Sequence, residues 1–144
     1  MAIKKTVKSR VEKLRNHFTL SEAGFWSLIR SNLRNASRWW KPIAECKKLS
    51  RRAYKGKNKS QKWEYKCSHC QEWFMEKEIA VDHKIEAGSL TCGDDLKGFV
   101  ERLFCEIEGF QVLCNKRIDG KESCHKKKTD EYMQSKKSAK KDLK

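Results

Sequence analysis

Two short stretches of this 144-residue chain carry residue types at spacings that do chemistry. The first is Cys-Ser-His-Cys at 67–70. Two residues separate Cys67 from Cys70, the spacing at which both thiolates of a tight turn reach one tetrahedral metal ion. They form half of a structural zinc site. Cys46, Cys92, Cys105, Cys114, Cys124 or a histidine must supply the other half, and spacing alone does not choose among them. Cys114 and Cys124 are able to close the tetrahedron, since one ends an apolar segment and the other opens a helix, with 115–123 looped out between them. His69, inside the turn, reads as facing solvent, its alternative being to replace one cysteine as a ligand. Cys105 lies beside Phe104 on an apolar face and reads as core.

The second stretch is Asp82-His83, at the end of the short strand expected over Glu78–His83. Neighbours on a strand point to opposite sides, so one side chain can hold a metal ion while the other faces a substrate. Hydrolysis of a phosphodiester needs a base for water, a cation for the charge that builds on the phosphate, and stabilisation of the leaving oxygen. Asp82, His83 and a further histidine, His125, with one metal ion meet all three needs. The pair by itself is a weak signal, because Asp-His arises often by chance and a histidine can simply end a strand. The order is far more specific: cysteine knuckle, Asp-His strand, apolar strand ending in cysteine, then Cys-His at a helix start.

These residues need elements to hold them. Trp63–Phe74 alternates polar and apolar residues around the cysteine turn, which predicts two short strands folded back on each other. Leu96, Phe99, Val100, Leu103 and Phe104 share one face of a helix expected over Asp94–Cys105, and Phe110–Cys114 reads as a strand. Ser123 is placed to cap a last helix carrying His125. Upstream, Val7, Val11, Leu14 and Phe18 predict a helix over residues 3–18. Thr19 and Glu22 form a capping box for a second helix through Phe25, Trp26, Leu28, Ile29 and Leu33, ending near Lys41 before Pro42. Trp26, Trp39 and Trp40 read as core or interface before they read as base-stacking residues. The organisation is therefore a helical, basic N-terminal arm (1–46), a basic linker (47–62), a metal-bearing core (63–133) and a lysine-rich tail (134–144).

Charge points to a polyanion. The net charge is +15, and residues 1–60 hold 17 basic and 3 acidic residues, whereas residues 61–120 hold 8 and 12. An acidic centre between basic flanks suits an enzyme that grips phosphates and holds a cation. With mean hydropathy at -0.90 the core must be small, and a metal staple would compensate for that. The seven cysteines are an odd number, and no apolar stretch of signal-peptide length leads the chain, so metal ligands are expected ahead of disulfides and an intracellular location ahead of secretion. No apolar run approaches the roughly 18 residues of a membrane span.

The order of motifs resembles the HNH endonuclease family and its ββα-metal core over about residues 63–133, through CSHC (67–70), VDH (81–83), FQVLC (110–114) and CHKKKT (124–129). It is most similar to the small HNH proteins of tailed bacteriophages, because AGSL and DDLKGFVERLF between the motifs are also similar to theirs. The resemblance implies an α+β fold with a four-cysteine zinc knuckle formed by Cys67, Cys70, Cys114 and Cys124. It implies His83 as general base and Asp82 and His125 as ligands of one catalytic divalent ion, Mg²⁺ or Mn²⁺, with Ni²⁺ or Zn²⁺ tolerated. It further implies DNA as substrate, cut to 5′-phosphate and 3′-hydroxyl ends, a place in phage DNA packaging or processing, phage terminase subunits as partners and the host-cell cytoplasm as location. The alternative is a zinc-stabilised DNA-binding or assembly protein with little or no nuclease activity. Two departures stand out. Gly109 occupies the place of the family's central Asn, for which Gln111 or Asn115 would have to compensate, and the gap from Cys114 to Cys124 is long.

Overall fold

In the computed structural model, which describes residues 10–143, the elements run α1 (Glu22–Ser37), α2 (Lys41–Leu49), β1 (Arg51–Ala53), β2 (Trp63–Lys66), β3 (Trp73–Phe74), β4 (Ile79–His83), α3 (Leu96–Leu103), β5 (Phe110–Cys114) and α4 (Cys124–Lys141). The architecture is α+β. Strands β1, β2 and β3 form one antiparallel sheet in that order, and β4 pairs with β5 in a second. In the second sheet Asp82 stands opposite Gln111 and His83 opposite Phe110. One face therefore carries Ile79, Val81, His83, Phe110, Val112 and Cys114, and the other Ala80, Asp82, Gln111 and Leu113.

Apolar burial divides into three small groups. Ala87, Leu90, Phe99 and Leu103 pack with Trp26, Ile29 and Leu33, which docks α1 on α3. Tyr65, Ile79 and Val112, joined by Cys46, Phe74 and Val81, bind α2 and the two sheets together. Cys67, Leu113, Cys114 and Cys124 form the third, around the cysteines. Ser123 caps α4, its hydroxyl accepting from the Lys126 N–H at 3.2 Å. That supports the cap read from the sequence.

The N-terminal segment corrects two expectations. Residues 10–18 form no helix, and Val7 lies outside the described residues. The chain turns instead at Asn16, His17 and Phe18, all with positive φ, and Arg15 bridges to Leu20. The amide of Asn16 donates to Thr19 Oγ1, and that hydroxyl donates to the Asn16 carbonyl, so side-chain bonds hold the turn. Val11, Leu14 and Phe18 are about 70% exposed; an apolar stripe with nothing to pack on gives a helix little support. The cap of α1 is Ser21, which accepts from the Gly24 N–H, in place of Thr19. Glu22 pairs with Arg15 and accepts from the Trp26 indole.

Pro42 does separate two helices, as the second residue of α2, where its missing N–H is not needed. The expected linker at 47–62 is only partly one. Its first residues finish α2, and Arg51–Ala53 become an edge strand on Trp63–Lys66.

Candidate metal centre and active site

The sulfurs of Cys67, Cys70, Cys114 and Cys124 all lie within 4.8 Å of one another. Cys67 and Cys70 come from the turn between β2 and β3, where Gln71 takes a positive φ and returns its N–H to the Cys67 carbonyl. The Ser68 N–H donates to the Val112 carbonyl at 2.8 Å, which fastens this turn to β5. Cys114 ends β5, and Cys124 opens α4 with its N–H donating to Cys114 Sγ at 3.3 Å. The long gap that left the fourth ligand open in the sequence is bridged by an exposed excursion. Its Arg117, only 6% exposed, binds Glu72 and Asp119 and approaches Cys114 Sγ at 4.0 Å.

Burial pushes the Cys67 thiol up, but N–H groups of Cys70, Cys114 and His69 outweigh it and bring it down to about 7. Burial, then the sulfurs of Cys114 and Cys67, push Cys124 up to about 12. Four soft donors at this mutual distance fit a tetrahedral zinc ion, whose charge would favour the thiolate at every position. His69 is exposed and lies outside the quartet, and Cys105 is half-buried against Gly109.

Asp82 and His83 leave β4 on opposite faces. His83 stacks at a tilt on Phe110, ring centroids 4.7 Å apart, and its Nε2 lies 2.9 Å from the carbonyl oxygen of Leu103 at the end of α3. A carbonyl only accepts, so Nε2 carries the hydrogen and the neutral ring keeps its lone pair on Nδ1. Asp82 faces α4. Its Oδ1 accepts from the His83 N–H at 2.9 Å, and its Oδ2 accepts from the ammonium of Lys128 at 2.7 Å. The same ammonium donates to Glu86 Oε1 at 3.0 Å and to the His83 carbonyl. Burial opposes the charge on Lys128, yet the bonds from Asp82 and Glu86 leave its pKa raised.

His125 is half-buried on the first turn of α4, three residues before Lys128, so the two are neighbours on the helix surface. Among the described residues the cysteine quartet is the one group of three or more His, Cys, Asp or Glu whose donor atoms all lie within 4.8 Å of one another. The donor atoms of Asp82, His83 and His125 are thus not drawn that close. Sequence reasoning missed Lys128 and Glu86. The motif CHKKKT offers three lysines, and only the position of Asp82 across the groove singles out one of them.

The groove between α4 and β5 has a volume of about 130 Å³ and is lined by His69, Gln111, Leu113, Cys124, Lys127, Lys128 and Glu131. Gln111, opposite Asp82, is placed at this site. Asn115 lies at the other end of β5, its amide donating to the Ile79 carbonyl. Gly109 has a steric cause: a Cβ built there meets Cys105 Sγ at 2.4 Å, so any side chain at this position would force Cys105 to shift. Its carbonyl accepts from the Lys84 N–H and so secures the segment that follows His83.

The outer face of the three-stranded sheet is basic and aromatic. On that face Arg52 lies over the Trp73 ring at 3.8 Å and Lys66 approaches the same ring at 5.9 Å, while on the opposite face, which buries Tyr65, Arg51 covers Trp63 at 4.0 Å. Of the three tryptophans read as core, Trp26 packs against α3 and the Trp40 indole donates to the Cys105 carbonyl. Trp39, at 87% exposed, is not core. Among the described residues no helix is long and apolar enough to cross a membrane. Compared with family models, curated proteins and solved structures, the chain matches none.

Proposed function

We propose that the chain is a metal-dependent DNA endonuclease of the HNH type, in which β4, β5 and α4 form the ββα-metal core and the cysteine quartet holds a structural zinc. The observation that carries this reading is the arrangement around β4: an imidazole oriented by a backbone carbonyl on one side of the strand, and a carboxylate beside a ring of oxygens on the other. Leu103 fixes the tautomer of His83, so Nδ1 is the atom that takes a proton from the attacking water. Phe110 holds the ring at its tilt.

The oxygens of Asp82, Glu86 and His83 converge on one cation, the Lys128 ammonium, and hard oxygen donors of this kind suit Mg²⁺ or Mn²⁺. Asp82 would hold that ion, with His125 approaching from α4. When bound, the ion neutralises charge on the phosphate and on the departing 3′ oxygen. Arg51, Arg52 and Lys66 over the tryptophans of the sheet, and the lysines of α4, offer contacts to the phosphate backbone. DNA is the substrate in this reading, and a role beside phage terminase subunits in DNA packaging follows from the family resemblance.

The test is cleavage of supercoiled plasmid with Mg²⁺, Mn²⁺, Ni²⁺ or EDTA, by the wild type and by His83→Ala. Loss of the base should slow cutting by about 10²–10⁴-fold while zinc content and DNA affinity hold. Equal cutting by the variant would refute the role of His83. A second reading, a zinc-stabilised DNA-binding or assembly protein with little nuclease activity, is favoured by the carboxylate of Asp82 being already bound to Lys128 and by Gly109 in the place of Asn. It predicts DNA affinity without cutting under any of the four conditions.

A further inference from the structure

The Lys128 ammonium stands at the centre of the acidic groups beside β4. Three oxygens surround it: Asp82 Oδ2 at 2.7 Å, Glu86 Oε1 at 3.0 Å and the His83 carbonyl. All three belong to one stretch, the end of β4 and the turn after it, whereas the lysine reaches in from α4. The side chains are well covered, at 16% exposed for Asp82, 32% for Glu86 and 22% for Lys128.

The charges do not balance. Two carboxylates face one ammonium, so a negative charge is left over in a site largely out of water, where an unmatched charge is costly. A divalent cation in place of the ammonium would match both carboxylates. The lysine stem is long and its head is strongly hydrated, so it can leave the site for solvent or for a phosphate without disturbing α4.

We propose that Lys128 is a resident counter-ion for the Asp82 site: it competes with the divalent ion for the same oxygens, and metal loads only as the ammonium withdraws. The inference rests on the nuclease reading for the presence of that ion. It makes Lys128 a positioning residue that sets the metal concentration at which the site fills. Glu86 joins Asp82 among the oxygens contested.

The experiment measures Mn²⁺ binding to the zinc-loaded full chain, by the loss of the free-ion electron paramagnetic resonance signal. The variants are Lys128→Met, Lys128→Gln, Lys128→Arg and Asp82→Asn. Lys128→Met should tighten Mn²⁺ binding at least tenfold, Lys128→Arg should stay near wild type, and Asp82→Asn should lose the site. Lys128→Gln gives the same reading if the methionine variant does not fold. Unchanged or weaker binding in the neutral variants, or no Mn²⁺ binding by any form, would overturn the proposal. Tightened binding by a protein that cuts no DNA would leave the counter-ion role standing and remove the nuclease reading. Cutting by wild type without tightening in the neutral variants would do the reverse.

Discussion

With the proposed zinc in the cysteine quartet, stripping it with a high-affinity chelator should unfold the centre of the molecule while α1 and α3 stay associated. Three of the four candidate ligands, Cys67, Cys114 and Cys124, are among the twelve buried apolar residues of the described chain segment. A structural zinc site is worth about 10–16 kcal/mol in apparent terms, against net stabilities of about 5–15 kcal/mol for whole domains. Its loss therefore exceeds anything the other contacts of that region can offset. Helix α4 has one buried residue, Cys124, and without it the bonds of Lys128 to the end of β4 are the main tie left between the helix and the sheet. It contributes 18 of the 51 α-helical residues, so the circular dichroism signal at 222 nm should fall by about a third as zinc leaves. The packing of Trp26, Ile29 and Leu33 on Phe99 and Leu103 touches no ligand and should persist. The assay is a chelator titration followed by circular dichroism, with elemental analysis of zinc in each sample. A metal-free protein that keeps its full helical signal and melts at the same temperature would refute the reasoning.

Two further changes probe separate parts of the fold. Phe99→Ala, at a fully buried position, should cost about 3–5 kcal/mol in urea unfolding while zinc stoichiometry stays intact; loss of zinc in this variant would show that the α1–α3 group and the cysteine centre are one unit. Gly109→Asn should destabilise by about 1–3 kcal/mol because its Cβ meets Cys105 Sγ, and adding Cys105→Ala should recover part of that; a neutral single variant would remove the steric account of this glycine.

What could be read from the sequence was local. The short apolar runs in Ile79–His83 and Phe110–Cys114 mark strands whether or not the partner is known, and the register then follows from burying Ile79, Phe110 and Val112. Ser123 caps α4 through a bond to a residue three positions away, so its neighbours sufficed. The cysteine quartet was legible as a half-site plus candidates, and the resemblance chose the pair that the fold brings together. Residues 10–18 misled because amphipathic spacing says nothing about whether a partner surface exists. Arg51–Ala53 has no apolar pattern, and becomes a strand because Trp63–Lys66 offers it main-chain partners. Lys128 was invisible for a related reason: its contacts with Asp82 and Glu86 cross more than forty positions of chain, and three adjacent lysines look alike until those carboxylates select one.

The distance along the chain between the two halves of the cysteine quartet has a consequence for biosynthesis. Cys67 and Cys70 are translated first, and Cys124 follows about 57 residues later, roughly 3–11 s at the usual 5–20 residues per second. For that interval the nascent chain presents two neighbouring thiols of an incomplete quartet, Cys114 joining them only near its end. They are then open to oxidation to a disulfide across the turn or to capture of a softer ion such as copper(I). Yield of correctly metallated protein should therefore depend on reducing conditions and zinc supply during expression more than on the stability of the finished molecule.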